Sequence, residues 1–339
     1  MNKKIIYFGA FMATGTLITV LALGIVDDFI YKLTQSSSFN ATQKNEENSM
    51  IYKSNNIVIN ENAQNLQFSY NNKYYTYLEN SNIYVNNISD EKKNVVLDDE
   101  LSIVGYELLY DKNMIIYFTE KKGVNSSIIT LKTYEIDTDR KSEYNQYTIQ
   151  GFAGIKDMNM SPVINIIYIN MNIKNGVNIT NSLYKIDLFK AMTKVTSGKV
   201  IDKIIMLQHK DRICYEDNKS NIYLGSNKLN IFKEKVDLIG IDSDDILYFM
   251  AKDKVYKVKD TKIIDTILLS DSDVVKTYTN NLGVYIAYKT YIINVAAKDP
   301  YNRIGKLSNF VEFEAIKADK MYLRTSNNIL ITTDVADEM

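Results

Sequence analysis

From residue 57 onward the chain alternates short apolar and polar runs at the two-residue period of half-buried strands, with no 3.6-residue helical stripe. Seven times two residues, usually apolar, are followed by tyrosine, the final tyrosines being Tyr75, Tyr117, Tyr168, Tyr215, Tyr248, Tyr285 and Tyr322, about 41 residues apart on average. Each is followed by a second short strand: Asn82 to Val85, Thr133 to Ile136, Leu183 to Ile186, Ile222 to Gly225, Val255 to Val258, Tyr291 to Asn294 and Ile329 to Thr332. Polar residues such as Glu79-Asn80-Ser81, Asp217 to Ser220 and Ser326-Asn327-Asn328 separate the two strands, which is the chemistry of tight antiparallel turns. An apolar strand precedes several tyrosines (Leu66 to Tyr70, Ile204 to Leu207, Val236 to Ile241), and a weaker one follows (Asn94 to Leu97, Leu229 to Phe232, Ile263 to Leu269).

Four strands in a repeat of about 40 residues predict the blade of a β-propeller. The expected fold class is all-β, a propeller of about seven four-stranded blades. Its last unit, Phe310 to Thr333, lacks a fourth strand, and Ile57 to Asn60 precedes the first blade without one of its own, so pairing these ends would close the ring. Spacings that vary from 33 to 51 residues leave six or eight blades, or a pair of β-sandwiches, as alternatives. The repeated apolar-apolar-Tyr, turn, Ile-Tyr-x-Ile pattern resembles TolB-like propellers and the propeller domains of clostridial surface proteins. That resemblance covers Ile57 to Asp334 and implies a binding or scaffolding role rather than a chemistry.

The N-terminus has a different pattern. Ile5 to Val26 is a run of 22 residues without a charge, long enough as a helix to cross a bilayer. Lys3 and Lys4 precede it and Asp27 and Asp28 follow, so the expected orientation is N-terminus cytoplasmic and C-terminal domain extracellular, a single-pass anchor at the cell membrane. A cleaved signal peptide ending near Ala22-Leu23-Gly24 is the rival reading, and the length of the apolar run argues against it. The expected organisation is therefore an anchor at 1–28, a polar flexible linker at 29–55 and an extracytoplasmic propeller at 56–339.

Composition narrows the function. Forty basic and 41 acidic residues give a formal charge of -1, and the basic residues are scattered, which disfavours a nucleic-acid partner. With one cysteine, Cys214, no internal disulfide can form; with one histidine, His209, in a turn, imidazole-dependent nucleophilic catalysis is disfavoured. Two Cys and His residues cannot build a structural zinc site. Calcium needs only oxygens, so the acidic turns at Asp137 to Asp139, Asp242 to Asp245 and Asp271 to Asp273 are candidates, the best being Asp242, Asp244 and Asp245, although none has EF-hand spacing. No phosphate-cradling glycine motif is present, and no catalytic residue or cofactor is expected. Tyr74, Tyr77, Tyr106, Tyr110, Tyr144, Tyr147, Tyr278, Tyr288 and Tyr301 exceed the needs of the strand signatures and are expected to pack between blades, with a contact surface as the alternative. The expected function is a membrane-anchored, non-enzymatic binding or scaffold domain for a protein or cell-envelope component, with the lipid bilayer met by residues 5–26. A carboxylate-based glycan hydrolase or lyase and a structural subunit of an envelope complex are the alternatives.

Overall fold

The computed structural model describes 57–58, 62–301 apart from 89, 98–99, 188, 271–272, 281–282 and 290, and beyond these the strands up to residue 334. The expected anchor and linker, residues 1–55, lie outside the described residues, as does the turn Ser326 to Asn328. Among the described residues no helix is long and apolar enough to cross a membrane.

Among the described residues all regular structure is β apart from a 3-10 turn at Ile136–Thr138. After β1 (Ile57–Val58), blade one is β2 (Gln64–Phe68), β3 (Tyr74–Glu79), β4 (Asn82–Asn87) and β5 (Asp90–Leu97). Blade two is β6 (Ser102–Leu108), β7 (Met114–Lys122), β8 (Ser126–Glu135) and β9 (Arg140–Gln150). Blade three is β10 (Phe152–Ser161), β11 (Ile166–Asn175), β12 (Asn178–Ile186) and β13 (Met192–Lys199). Blade four is β14 (Ile201–Met206), β15 (Ile213–Asp217), β16 (Ile222–Leu224) and β17 (Asn227–Lys228). Blade five is β18 (Asp237–Ile241), β19 (Leu247–Met250), β20 (Lys254–Lys259) and β21 (Lys262–Leu268). Blade six is β22 (Val274–Asn280), β23 (Gly283–Tyr288), β24 (Tyr291–Asn294) and β25 (Arg303–Lys306). Then come β26 (Glu312–Lys317), β27 (Lys320–Arg324) and β28 (Ile329–Asp334).

Counted as uninterrupted meanders the blades number six, not seven; the remaining four-stranded sheet is composite, with β1 antiparallel to β28 through Ile57↔Leu330 and Val58↔Ile329. Phe68 of β2 stacks on Tyr322 of β27 with ring centroids 4.0 Å apart, tying the first blade to this closing sheet. One expected strand is corrected: Leu229 to Phe232 is not a strand, because β17 stops at Lys228 and Leu229 turns into the core.

The repeat has a packing reason. All seven signature tyrosines are buried, because the second strand of each blade is covered on both faces. Buried clusters lie between neighbours, for example Phe118, Ile129, Ile169 and Met171 between blades two and three, and Cys214, Leu224, Leu238 and Phe249 between blades four and five. Local turn chemistry agrees: Asn80 and Ser81 both have positive φ (50° and 63°), the mirror-image turn that matches strand twist in a two-residue hairpin. Asp217 closes the β15–β16 turn by accepting the N–H groups of Lys219 and Asn221, each at 2.9 Å.

Candidate functional site: the central channel

A blade's first strand has one ladder edge turned toward the ring axis, and its N–H and C=O groups need partners there. Side chains of the neighbouring first strand supply them. Gln67 Oε1 accepts from Leu108 N–H at 2.7 Å, Asn159 Oδ1 from Met206 N–H at 3.1 Å, and Asp157 Oδ2 from Ile204 N–H at 3.4 Å. Thr279 Oγ1 donates to Ile241 O at 3.0 Å, Lys156 Nζ donates to Ile201 O at 2.6 Å and Lys203 Nζ to Ile239 O at 3.1 Å. Tyr106, buried, donates its hydroxyl to Asn65 O and accepts from Thr76. These bonds bind blade to blade around the axis.

The strands leave a cavity of about 590 Å³ bordered by β2, β6, β10, β14, β18 and β22 and by the loops that follow several of them. Its walls mix apolar side chains (Leu66, Met158, Met160, Ile205) with Glu107, Asp157, Lys203, Gln208, His209 and Asp242. Burial pushes the Asp157 carboxyl up to about 6, against the opposing pull of the Ile204 and Met158 N–H groups and of Lys203 and Lys156. Burial likewise holds Lys203 below the usual lysine range, partly offset by Asp157, Glu216 and Asp237. The two therefore form a partly desolvated, oppositely charged couple on neighbouring strands. Glu216, buried behind this wall, accepts Leu238 N–H at 2.9 Å, and its carboxyl too is raised by burial.

Among the described residues the three carboxylates on the channel wall are each engaged by the fold. Glu107 accepts from Gln67 Nε2 at 3.3 Å, and Asp157 takes Ile204 N–H. Asp242 accepts Asp244 N–H at 2.9 Å, Ile246 N–H at 3.0 Å and the hydroxyl of the buried Tyr248 at 2.8 Å.

Of the sequence-derived calcium candidates, Asp242 serves its own turn and Tyr248, while Asp244 is exposed. The buried Asp245 carboxylate reaches into the preceding blade's loop, accepting N–H from Gln208 and His209. Among the described residues no three Asp, Glu, His or Cys side chains are grouped to hold a metal ion. His209 is exposed at the channel mouth with Nδ1 3.6 Å from Asp245 Oδ2. Cys214 is fully buried, and burial pushes its thiol far up, away from nucleophilic use.

The additional tyrosines divide. Tyr77, Tyr106 and Tyr288 are buried, Tyr278 and Tyr110 face the channel, and Tyr74 donates to Asp137 of the next blade at 2.9 Å. Tyr147 donates to Lys190 O at 2.8 Å, also across blades, while Tyr144 and Tyr301 are exposed. Packing accounts for most of them. Sequence reading missed Asp157 and Lys203, whose available signal was a pair of opposite charges, Lys156-Asp157 and Asp202-Lys203, set among apolar residues in two first strands.

The fold has solved counterparts. A chain in the crystal structure of a mitotic checkpoint complex superposes with a TM-score of 0.52 at 10% identity, over 88% of this chain and 98% of its own length. A second match is the AfRom2 CNH domain, with a TM-score of 0.49 at 10% identity over 84% of this chain and 96% of that one. No protein-family model matches the sequence, and no curated protein matches it, so the resemblance to TolB-like repeats extends to the propeller fold and to no family.

Proposed function

We propose that the chain is a non-enzymatic interaction propeller, held at the outer side of the cell membrane by residues 5–26, that binds a protein or an envelope component. The observation that carries the binding role is the use of the described channel carboxylates: Glu107, Asp157 and Asp242 all accept hydrogen bonds that hold strands and turns in place. A carboxylate pair for glycan cleavage needs one acid and one base or nucleophile free to face substrate. The matched chain of the mitotic checkpoint complex is a propeller within an assembly, which agrees with a scaffold role. The anchor is supported by the uncharged run from Ile5 to Val26 and the lysine-to-aspartate change across it.

Crosslinking on the outer surface of intact cells, followed by recovery of the tagged full-length chain, tests both parts. A defined partner captured by an impermeant crosslinker supports binding and display together. Crosslinking only after cell lysis would place the domain on the inner side and defeat the display. A second reading, glycan cleavage, is favoured by the Asp157 carboxyl, whose value of about 6 suits a general acid. Release of reducing ends from cell-wall glycan by the full-length chain, lost in Asp157→Asn, would replace the binding role.

A further inference from the structure

Two neighbouring blades carry the same tip on the same face. The β7–β8 hairpin turns through Gly123-Val124-Asn125 after Lys121 and Lys122, and the β11–β12 hairpin through Gly176-Val177-Asn178 after Lys174. Val124 is 99% exposed and Val177 94% exposed, and Ile179 beside the second tip is more than half exposed. The tips are held together by one residue. Gly151, between β9 and β10, donates its N–H to Asn125 O at 3.0 Å and accepts Lys174 N–H at 2.7 Å. Its φ is +66°, and a Cβ there would lie 2.4 Å from Lys174 O, so the clamp requires glycine. Gly123 N–H closes the first tip onto Ser126 O at 2.8 Å.

These valines contribute no burial to the fold, yet the backbone holds them in fixed positions. Lys121, Lys122 and Lys174 are exposed and have no carboxylate partner among the described residues. Exposed valines flanked in sequence by cations without a carboxylate partner fit a partner that offers apolar side chains among carboxylates. A lipid surface fits less well, because the tips lack the Trp and Tyr that settle at a membrane interface.

We infer that the twin tips dock an acidic segment of a partner protein, with Val124 and Val177 as apolar anchors and the three lysines meeting its carboxylates. This rests on the interaction role proposed above. The test places a photo-crosslinking residue at Val124, at Val177 or, on the opposite face, at Phe189 of the full-length chain in its own cells, and identifies the attached molecule by mass spectrometry. Positions 124 and 177 are expected to capture the same peptide, rich in Asp and Glu. Charge reversal at all three lysines (K121E, K122E, K174E) should cut its yield by about tenfold or more, with an unchanged melting temperature showing that the fold survives. Capture of lipid at 124 and 177, or of nothing there while 189 captures a protein, overturns the docking surface and leaves the interaction role standing. No capture at any of the three overturns both.

Discussion

Blades two and three and blades four and five bury cores of the same size with very different amounts of strand. Thirteen buried residues pack between the first pair and thirteen between the second. Yet β7 to β12 run 9 to 11 residues each, whereas β15 to β19 run 2 to 5. The additional length therefore leaves the number of buried residues unchanged and adds only partly buried ones, such as Phe152 and Ile155, at the margin. It extends the hairpins beyond the core, where the burial changes from continuous (Ile115 to Thr119) to exposed (Lys121 to Asn125) within one strand and its turn. Strand length in this propeller reports two requirements: about five residues build a blade, and the remainder presents surface.

If the cores are equivalent, truncating them should cost alike. Phe118→Ala and Phe249→Ala, both fully buried in their clusters, should each lose about 3 to 5 kcal/mol in denaturant unfolding. A loss at one site more than twice that at the other would mean that the two cores are unequal. Next in size is the clamp: Gly151→Ala should cost about 2 kcal/mol, since the new methyl meets Lys174 O. Gly225→Ala, with a similar φ of +64° and open space around it, should cost about 1 kcal/mol. Thermal melts of the two variants side by side measure the difference.

A third expectation concerns the channel that both pairs share. The Asp157 carboxyl binds its proton more readily in the folded chain (about 6) than its ordinary value of 3.8, so the folded state holds more protons between those pH values. Its contribution to stability therefore falls as pH rises through that window. Asp157→Asn keeps an oxygen acceptor for Ile204 and removes the titration, so the variant should gain on the parent by up to about 2 kcal/mol between pH 4 and pH 7. A constant difference across that range would show that Asp157 does not titrate as its burial implies. The smallest effect belongs to the tips. Val124→Ser and Val177→Ser should change stability by less than about 0.5 kcal/mol, because neither side chain is covered. A larger loss would mean that the hairpin extensions belong to the core after all.

Much of this architecture is legible in the chain. The tyrosine-terminated strand reports a doubly covered second strand directly, because continuous burial demands continuous apolar residues, and all seven tyrosines are buried. The turn at Asn80-Ser81 follows from residues that tolerate positive φ. The pairing of Ile57 and Val58 with β28 follows from a count of strands left without partners. Leu229 to Phe232 misleads because an apolar run can enter a core as a loop as well as a strand.

The repeat, the all-β class and the alternation that places each blade's second strand inside are written locally, since each depends on neighbours along the chain. The channel couple of Asp157 and Lys203 and the bridging of two hairpin tips by Gly151 arise only when the blades assemble. Their partners are 46 residues apart in the first case and come from three separate segments in the second. Desolvation of a charge and the positive φ of a clamping glycine depend on which strands the closed ring brings together, and no local periodicity encodes that.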